Sequence, residues 1–365
     1  MKIIHVETGM NLYGGALQVL YLLKGLAKLD EVESLLVCPP GSAIGKVSAK
    51  DVAGLYPIPM KGDLDFFFTP RLVGLINREK PDIIHLHSRR GADVLGGLAG
   101  RLSGKKCLLT RRVDNPEPRL WAALKYRLYD HVITISQGIQ EILIEEGVPA
   151  GKITCVRSAI DINRYSTPYD LAWFRRQFAL EDNILICAMV AQFIERKGHR
   201  YLLEAIPLIL RDQPRARFFF FGKGPMEKEL RSISLDLGIE DKVIFAGFRD
   251  DLDRIMGCFD LLIHPALMEG LGVSLLQAAA AGVPIVGTRV GGIPEIVRDT
   301  VNGYLIPPSD VQSIADAVVK TLADRDLAMQ LGENGREIVS RDFSIESMVR
   351  GNLEVYREMM DKIRD

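Results

Sequence analysis

Short apolar runs, rich in β-branched or aromatic residues, alternate with longer stretches of 3.6-residue periodicity along the whole chain. A strand buried on both faces reads as a continuous apolar run and its return connection as an amphipathic helix, so the alternation predicts βαβ units and parallel sheets. A first series of strands is predicted at Ile3–Glu7, Ser34–Cys38, Tyr56–Pro59, Ile83–Leu86, Cys107–Thr110, Val132–Ile135 and Thr154–Arg157. A second restarts after a linker-like stretch, Asn163–Asp170, with strands at Ile184–Val190, Arg217–Phe221, Val243–Phe245, Leu261–His264 and Pro284–Gly287. The expectation is an α/β chain of two Rossmann-like, doubly wound domains, residues 1–165 and 166–345, with a ligand cleft between them at the carboxyl ends of the strands. The last helical stretch, Ile345–Ile363, ends the chain without another strand, and residues 346–365 are expected to cross back to the first domain.

Length and composition agree with two folded cores. The chain has 365 residues, 47% of them hydrophobic and 25% charged, far from the regime of disorder. No apolar run is long enough to span a bilayer, and the N-terminus turns polar too soon for a signal peptide, so a cytoplasmic location is expected. The five scattered cysteines read as buried, reduced thiols. The net charge of −1 hides a basic first part, with 22 Lys and Arg against 17 Asp and Glu up to residue 165. That excess suits an anionic substrate or surface and is too small to indicate nucleic acid.

Several turns could carry chemistry. Gly14 and Gly15 follow the first strand and open an apolar helix, a place where backbone N–H groups can approach an anion. A tight turn explains them equally well, and the dinucleotide spacing is absent. Gly41 to Lys46 is one residue short of a P-loop, and Asp63-Leu64-Asp65 reads as a solvated turn. Gly222 to Pro225 reads as a turn with Pro225 opening a helix, with Gly224 a candidate for lining a nucleotide pocket. Arg196 and Lys197 set two cations after the first strand of the second domain. Glu269 precedes Gly270, Leu271 and Gly272 and a small-residue helix that contains Gln277 and is closed by Gly282. His85 and His87 alternate on one strand, which suits packed histidines better than a metal pair.

The run Glu269-Gly270-Leu271-Gly272, then Gly282-Val283-Pro284, Gly291-Gly292-Ile293-Pro294-Glu295 and Asn302-Gly303, closely resembles the donor-binding signature of the family-4 retaining glycosyltransferases. Gly14-Gly15-Ala16, Pro81 to His87 and Arg196-Lys197-Gly198 extend the likeness in the family's order over nearly the whole chain. The resemblance implies the GT-B fold and metal-independent transfer of a sugar, with retention, from a nucleotide diphosphate sugar to a glycan or lipid-linked acceptor. Such work belongs to cell-envelope polysaccharide or lipopolysaccharide assembly. It implies Glu269 as the contact to the donor sugar and Arg196 and Lys197 as the cations that neutralise the leaving diphosphate. Gly14 and Gly15 would touch that diphosphate, and the amides of Gly270, Leu271 and Gly272 would hold phosphate or sugar oxygens. No cofactor is implied beyond the nucleotide sugar as co-substrate.

Three positions depart from the family pattern. Gln277 stands where a second Glu binds the ribose, Gln192 replaces a frequent Arg, and Arg112 replaces a frequent His. Arg112 cannot be a base. The family's front-face mechanism needs none, because a phosphate oxygen takes the acceptor proton. Arg112, with Arg111 beside it, is read as binding an anionic acceptor or the diphosphate, against an ion pair with Asp114; His87 is a further acceptor-side candidate. The basic, aromatic stretch Arg119–Tyr129 reads as a packed helix or as a peripheral contact on the inner face of the membrane. A nucleotide-sugar epimerase and a non-catalytic nucleotide-sugar-binding subunit are the competing readings.

Overall fold

The structure, a computed structural model, describes all residues except 13, 88–90, 167–168 and 362–365. The chain divides into two compact units, one made of Met1–Ala159 with the C-terminal segment from Ile345, the other of Ile160–Ser344.

Unit 1 is built on seven parallel strands: β1 (Lys2–Val6), β2 (Glu33–Cys38), β3 (Gly54–Pro57), β4 (Ile83–Leu86), β5 (Lys106–Arg111), β6 (His131–Thr134) and β7 (Ile153–Cys155). Their order is β3-β2-β1-β4-β5-β6-β7. The central strands are apolar on both faces because helices cover both faces. Ile4, Val6, Leu35 and Ile84 pack with Phe68 and Leu72 on one side, and Ile3, Ile83, Leu108 and Ile133 with Tyr21 and Leu22 on the other. His5 interrupts β1 and pairs in register with His85 of β4.

The final helix, Ile345–Asp361, belongs to this second face. Met348, Val349, Tyr356 and Met359 recur at helical spacing and are buried there. Gly25 makes room for Val349, and Arg357 pairs with Glu31 at 2.6 Å. The predicted end of this helix at Ile363, like the rest of the segment after Asp361, lies outside the described residues.

Unit 2 carries six parallel strands: β8 (Leu185–Val190), β9 (Ala216–Phe221), β10 (Val243–Gly247), β11 (Leu261–His264), β12 (Ile285–Thr288) and β13 (Gly303–Ile306). The order β10-β9-β8-β11-β12-β13 repeats the doubly wound pattern. Phe218, Phe219, Phe220 and Phe221 are buried on both faces of β9.

Three details differ from the sequence expectation. The break between units falls at Ala159/Ile160 rather than after residue 165, and the expected linker is structured within unit 2. There Ile162–Tyr165 is a short helix, Arg164 pairs with Asp253 at 2.7 Å and Tyr165 is buried; Pro168, also placed in that linker, lies outside the described residues. The helix after Gly224 begins at Glu227, two residues beyond Pro225. Strand β13 is additional to the expected set: it opens on a glycine and is half-buried along its middle, so it lacks a continuous apolar run. Among the described residues no helix is long and apolar enough to cross a membrane, and no disulfide joins the five cysteines, four of which are buried as expected while Cys155 is half-buried.

Candidate functional site

In unit 2 the sequence motifs meet at the carboxyl ends of β8 and β11. The turn Glu195–Lys197 follows β8, and its Arg196 carbonyl accepts from the Leu267 amide at 2.8 Å, tying it to the loop after β11. Gly198, at φ +75, closes this junction: a Cβ there would overlap the carbonyl oxygen of Pro265. The Gly291-Gly292 turn after β12 lies against the same loop. The Gly292 amide donates to Glu269 O at 3.0 Å, and at Gly291, φ +51, a Cβ would overlap that same oxygen. Gly224 lies directly on the Phe193 backbone, and the Phe193 amide donates to Lys223 O at 3.1 Å.

The glycine-framed loop holds Glu269 with its side chain 13% exposed. Its Oε2 accepts from Lys197 Nζ at 2.5 Å and faces His264 Nε2 at 2.8 Å. Burial alone would push this carboxyl up, but the hydrogen bonds and charges of His264 and Lys197 outweigh it and hold the pKa at about 2, against an ordinary 4.5. Glu269 is therefore a fixed anion and not a proton donor near neutrality. Gly270, Leu271 and Gly272 lead into the helix Val273–Ala280, and from it Gln277 donates to Tyr165 Oη at 2.7 Å. His264 and Tyr165 are site residues that the motifs do not assign. His264 ends an otherwise apolar strand, five residues before the carboxylate it contacts, and that polar break is the signal the sequence offers.

Unit 1 has its own cavity of about 500 Å³, lined by Glu7, Thr8, Gly15, His87 and Arg112 among others. Gly14 and Gly15 open the helix Gly14–Leu26, with no acidic residue in its first turn. Arg111 and Arg112 end and follow β5, and they part company. Arg111 is 4% exposed and pairs with Glu117 at 3.1 Å, while no ion pair among the described residues joins Arg112 to Asp114.

Behind Arg112 three buried histidines cluster. His5 Nδ1 is 3.1 Å from His87 Nε2, and His85 bonds Tyr356 Oη and Thr110 Oγ1, both at 2.7 Å. Burial lowers His5 to about 3 and drives His85 and His87 well below the usual imidazole range, helped by each other and by Arg112. One nitrogen from each histidine lies within 4.8 Å of the others. Both nitrogens of His85 are already hydrogen-bonded and the Arg112 guanidinium stands 3.5 Å from His87, so neutral, packed imidazoles fit better than metal ligands.

A second cavity, of about 470 Å³, shares Asp63, Asp93 and Arg111 with the first and is walled by Leu64, Phe66 and Trp121. The helix Arg119–Tyr126 borders it. Lys125 is only 2% exposed there, paired with Asp93 at 2.6 Å, and Tyr126 and Tyr129 are buried, whereas Leu120, Trp121 and Leu124 face outward. The solvent face of that helix is more apolar than its sequence suggests.

Two doubly wound parallel sheets, one of them carrying a glycine-framed carboxylate paired with Lys197, define the GT-B class of two-domain transferases. The family descriptions "Glycosyl transferases group 1" and "Glycosyltransferase Family 4" match residues 173–338 and 13–164. The chain belongs to glycosyltransferase family 4 and is a glycosyltransferase. It is 26% identical over 305 residues to the N-acetyl-alpha-D-glucosaminyl L-malate synthase of Bacillus anthracis, covering 81% of this chain and 80% of that one. It is 24% identical over 305 residues to an Escherichia coli UDP-Gal:alpha-D-GlcNAc-diphosphoundecaprenol alpha-1,3-galactosyltransferase, covering 79% and 78%. The fold matches that of Anabaena Alr3699/HepE in complex with UDP at a TM-score of 0.85, with 21% identity and coverage of 98% and 100%.

Proposed function

We propose that this glycosyltransferase moves a sugar from a nucleotide diphosphate sugar to a glycan or lipid-linked acceptor in cell-envelope polysaccharide or lipopolysaccharide assembly, with retention and without a metal. The observation that carries the reading is the meeting of Lys197 and Glu269 on a glycine-framed surface in unit 2. Relatives named for UDP-galactose and GDP-mannose transfer to lipid-linked or glycolipid acceptors support the substrate class.

The chemistry follows from what each group can donate. The ionised Glu269 only accepts, so it takes hydrogen bonds from hydroxyls of the donor sugar. Lys197 Nζ has three N–H donors, one on Glu269, leaving the others for phosphate oxygens; Arg196 adds a second cation, and the amides of Gly270, Leu271 and Gly272 a partial positive end. Together they stabilise the charge of the departing diphosphate. Gln277, with its NH₂ on Tyr165, offers its carbonyl oxygen to a ribose hydroxyl, and Gly224 lines the nucleotide side. In unit 1, Gly14 and Gly15 present helix-terminal amides suited to a phosphate, and His87 and Arg112 serve the acceptor. Arg112 cannot act as a base and Glu269, with its pKa held at about 2, is a weak one, so in this reading the proton of the attacking hydroxyl goes to a phosphate oxygen as the new bond forms on the face the diphosphate leaves.

The test is an incubation with UDP-, GDP- and ADP-sugars and candidate acceptors, with product read by proton NMR. The expected product keeps the donor's anomeric configuration and forms equally in the presence of a chelator. An inverted product, conversion of the donor with no acceptor present, or loss of activity on chelation would each overturn its part of the reading.

A further inference from the structure

Arg111 and Arg112 are adjacent in sequence and opposite in environment. Arg111 spends its guanidinium on the fold: Nε donates to Val113 O at 2.9 Å, NH2 to Asn115 O at 2.5 Å and NH1 to Glu117. Arg112 has one hydrogen-bond contact among the described residues, NH2 to His87 Nδ1 at a long 3.5 Å. Its Nε is buried with no partner.

That single contact fixes the protons behind it. A guanidinium only donates, so His87 Nδ1 must accept, and a neutral imidazole accepting there carries its hydrogen on Nε2. His87 Nε2 then donates across 3.1 Å to His5 Nδ1, placing the His5 hydrogen on its own Nε2, a buried atom with no partner. The two rings stack at 5.4 Å and 12°, and the chain runs in one direction, from Arg112 inward. His87 therefore has no lone pair for the cavity, and Arg112 offers it only N–H groups.

Among the described residues no carboxylate is hydrogen-bonded to Arg112. Asp93 is spent on Lys125 at 2.6 Å, and Asp63 is exposed. Glu7, 6% exposed, supports the Arg112 charge through space, but its Oε1 accepts from the Gly9 amide at 2.8 Å. Burial outweighs that support and lowers Arg112 to about 10, so it stays charged near neutrality while poorly solvated. Gly15 lines the same cavity beside Arg112, where an added Cβ would lie in van der Waals contact, 3.6 Å from Arg112 Cδ.

We infer that this end of the cavity is a receptor for an oxyanion, a carboxylate or phosphate, carried by the acceptor, with Arg112 as the binding group and His87 and His5 as positioning residues. The inference rests on the acceptor-side reading of unit 1. The donor's diphosphate would offer the same chemistry, but it has its own cations, Arg196 and Lys197, in unit 2.

The probe is inorganic phosphate, titrated calorimetrically into the full chain saturated with whichever of UDP, GDP or ADP stabilises it most. A millimolar phosphate site is expected, weakened at least about tenfold in Arg112→Met, the loss of a charge-assisted hydrogen bond or two. Arg112→Lys should recover little of it, since an ammonium lacks the planar fork. Absence of the site under these conditions, or its survival in Arg112→Met, overturns the inference and returns the oxyanion to the donor. Failure of all three diphosphates to bind is instead a failure of the glycosyl-transfer reading. The titration is then run on the Arg196→Ala/Lys197→Ala protein, where the Arg112 site is still expected. A second readout needs no ligand: ¹⁵N NMR should find His87 and His5 both protonated on Nε2. An Nδ1–H signal from His87 would overturn the positioning role.

Discussion

Lys197 Nζ lies 2.5 Å from Glu269 Oε2, with both side chains nearly buried. A pair this enclosed is weak evidence for stability, because desolvation offsets much of the attraction, and stronger evidence for a site kept charged for use.

Glu269 should accordingly give a pH signature. Its folded pKa of about 2 lies below the ordinary 4.5, so its contribution to stability is full above pH 4.5 and is lost as pH falls towards 2. At 1.36 kcal/mol per pKa unit the contribution is on the order of 3 kcal/mol. Urea unfolding of Glu269→Gln should show a shallower loss of stability between pH 4.5 and 2 than the parent protein. At pH 7 the same variant, and Lys197→Ala, should lose roughly 10²–10³ in kcat/KM while keeping the parent circular dichroism spectrum.

The glycine turns separate a framing role from an open one. Gly291→Ala puts a Cβ onto the Glu269 carbonyl at a positive φ, and should cost about 1–3 kcal/mol and abolish donor binding. Gly15→Ala meets only Arg112 Cδ at 3.6 Å and should leave the melting temperature close to that of the parent, since surface changes usually stay within about 0.5 kcal/mol. Differential scanning fluorimetry with and without nucleotide sugar reads both effects.

How legible the molecule is in its sequence follows burial. Strands such as Ile83–Leu86 and Phe218–Phe221 are apolar on both faces and announce themselves, and the order of turns between them sets out both sheets. Strand β13 opens on a glycine and its middle residues are only half-buried, so it lacks the apolar run of the other strands, and Asn163–Asp170 looks like a linker because the contacts that order it, Arg164 with Asp253 and Tyr165 with Gln277, come from residues about 90 and 112 positions away. The donor-side residues are visible because packing alone rarely places a charged side chain among glycines at a strand end. His5 is not: one imidazole in an apolar strand reads as tolerated polarity until β4 brings His85 and His87 beside it.

Tyr356 shows the final helix acting at a distance in sequence, its hydroxyl on His85 Nδ1 within the unit 1 core. Tyr356→Phe leaves a buried imidazole nitrogen without its partner and should cost about 1–3 kcal/mol. Replacing His85 as well, in Tyr356→Phe/His85→Phe, removes the orphaned group, so the double variant should lose less than the sum of the single losses. A double-mutant cycle in urea measures the coupling.

The last expectation concerns the surface beside the second cavity. Leu120, Trp121 and Leu124 are 76%, 46% and 52% exposed on one helix, and Leu64 and Phe66, at 78% and 68%, stand on the loop that shares the cavity wall with Trp121. Exposed Arg119 and Arg127 flank the helix. Apolar side chains with flanking cations suit the boundary of an anionic bilayer, where aromatic and leucine side chains enter and guanidinium groups meet phosphate. We propose a peripheral contact there. In flotation assays the protein should bind vesicles containing phosphatidylglycerol more than neutral ones, and lose binding at high salt. Leu120→Asp/Leu124→Asp should abolish flotation without lowering turnover of a short, water-soluble acceptor analogue. Equal flotation by this variant would place the membrane contact elsewhere, and lost turnover would make the helix part of the acceptor site itself.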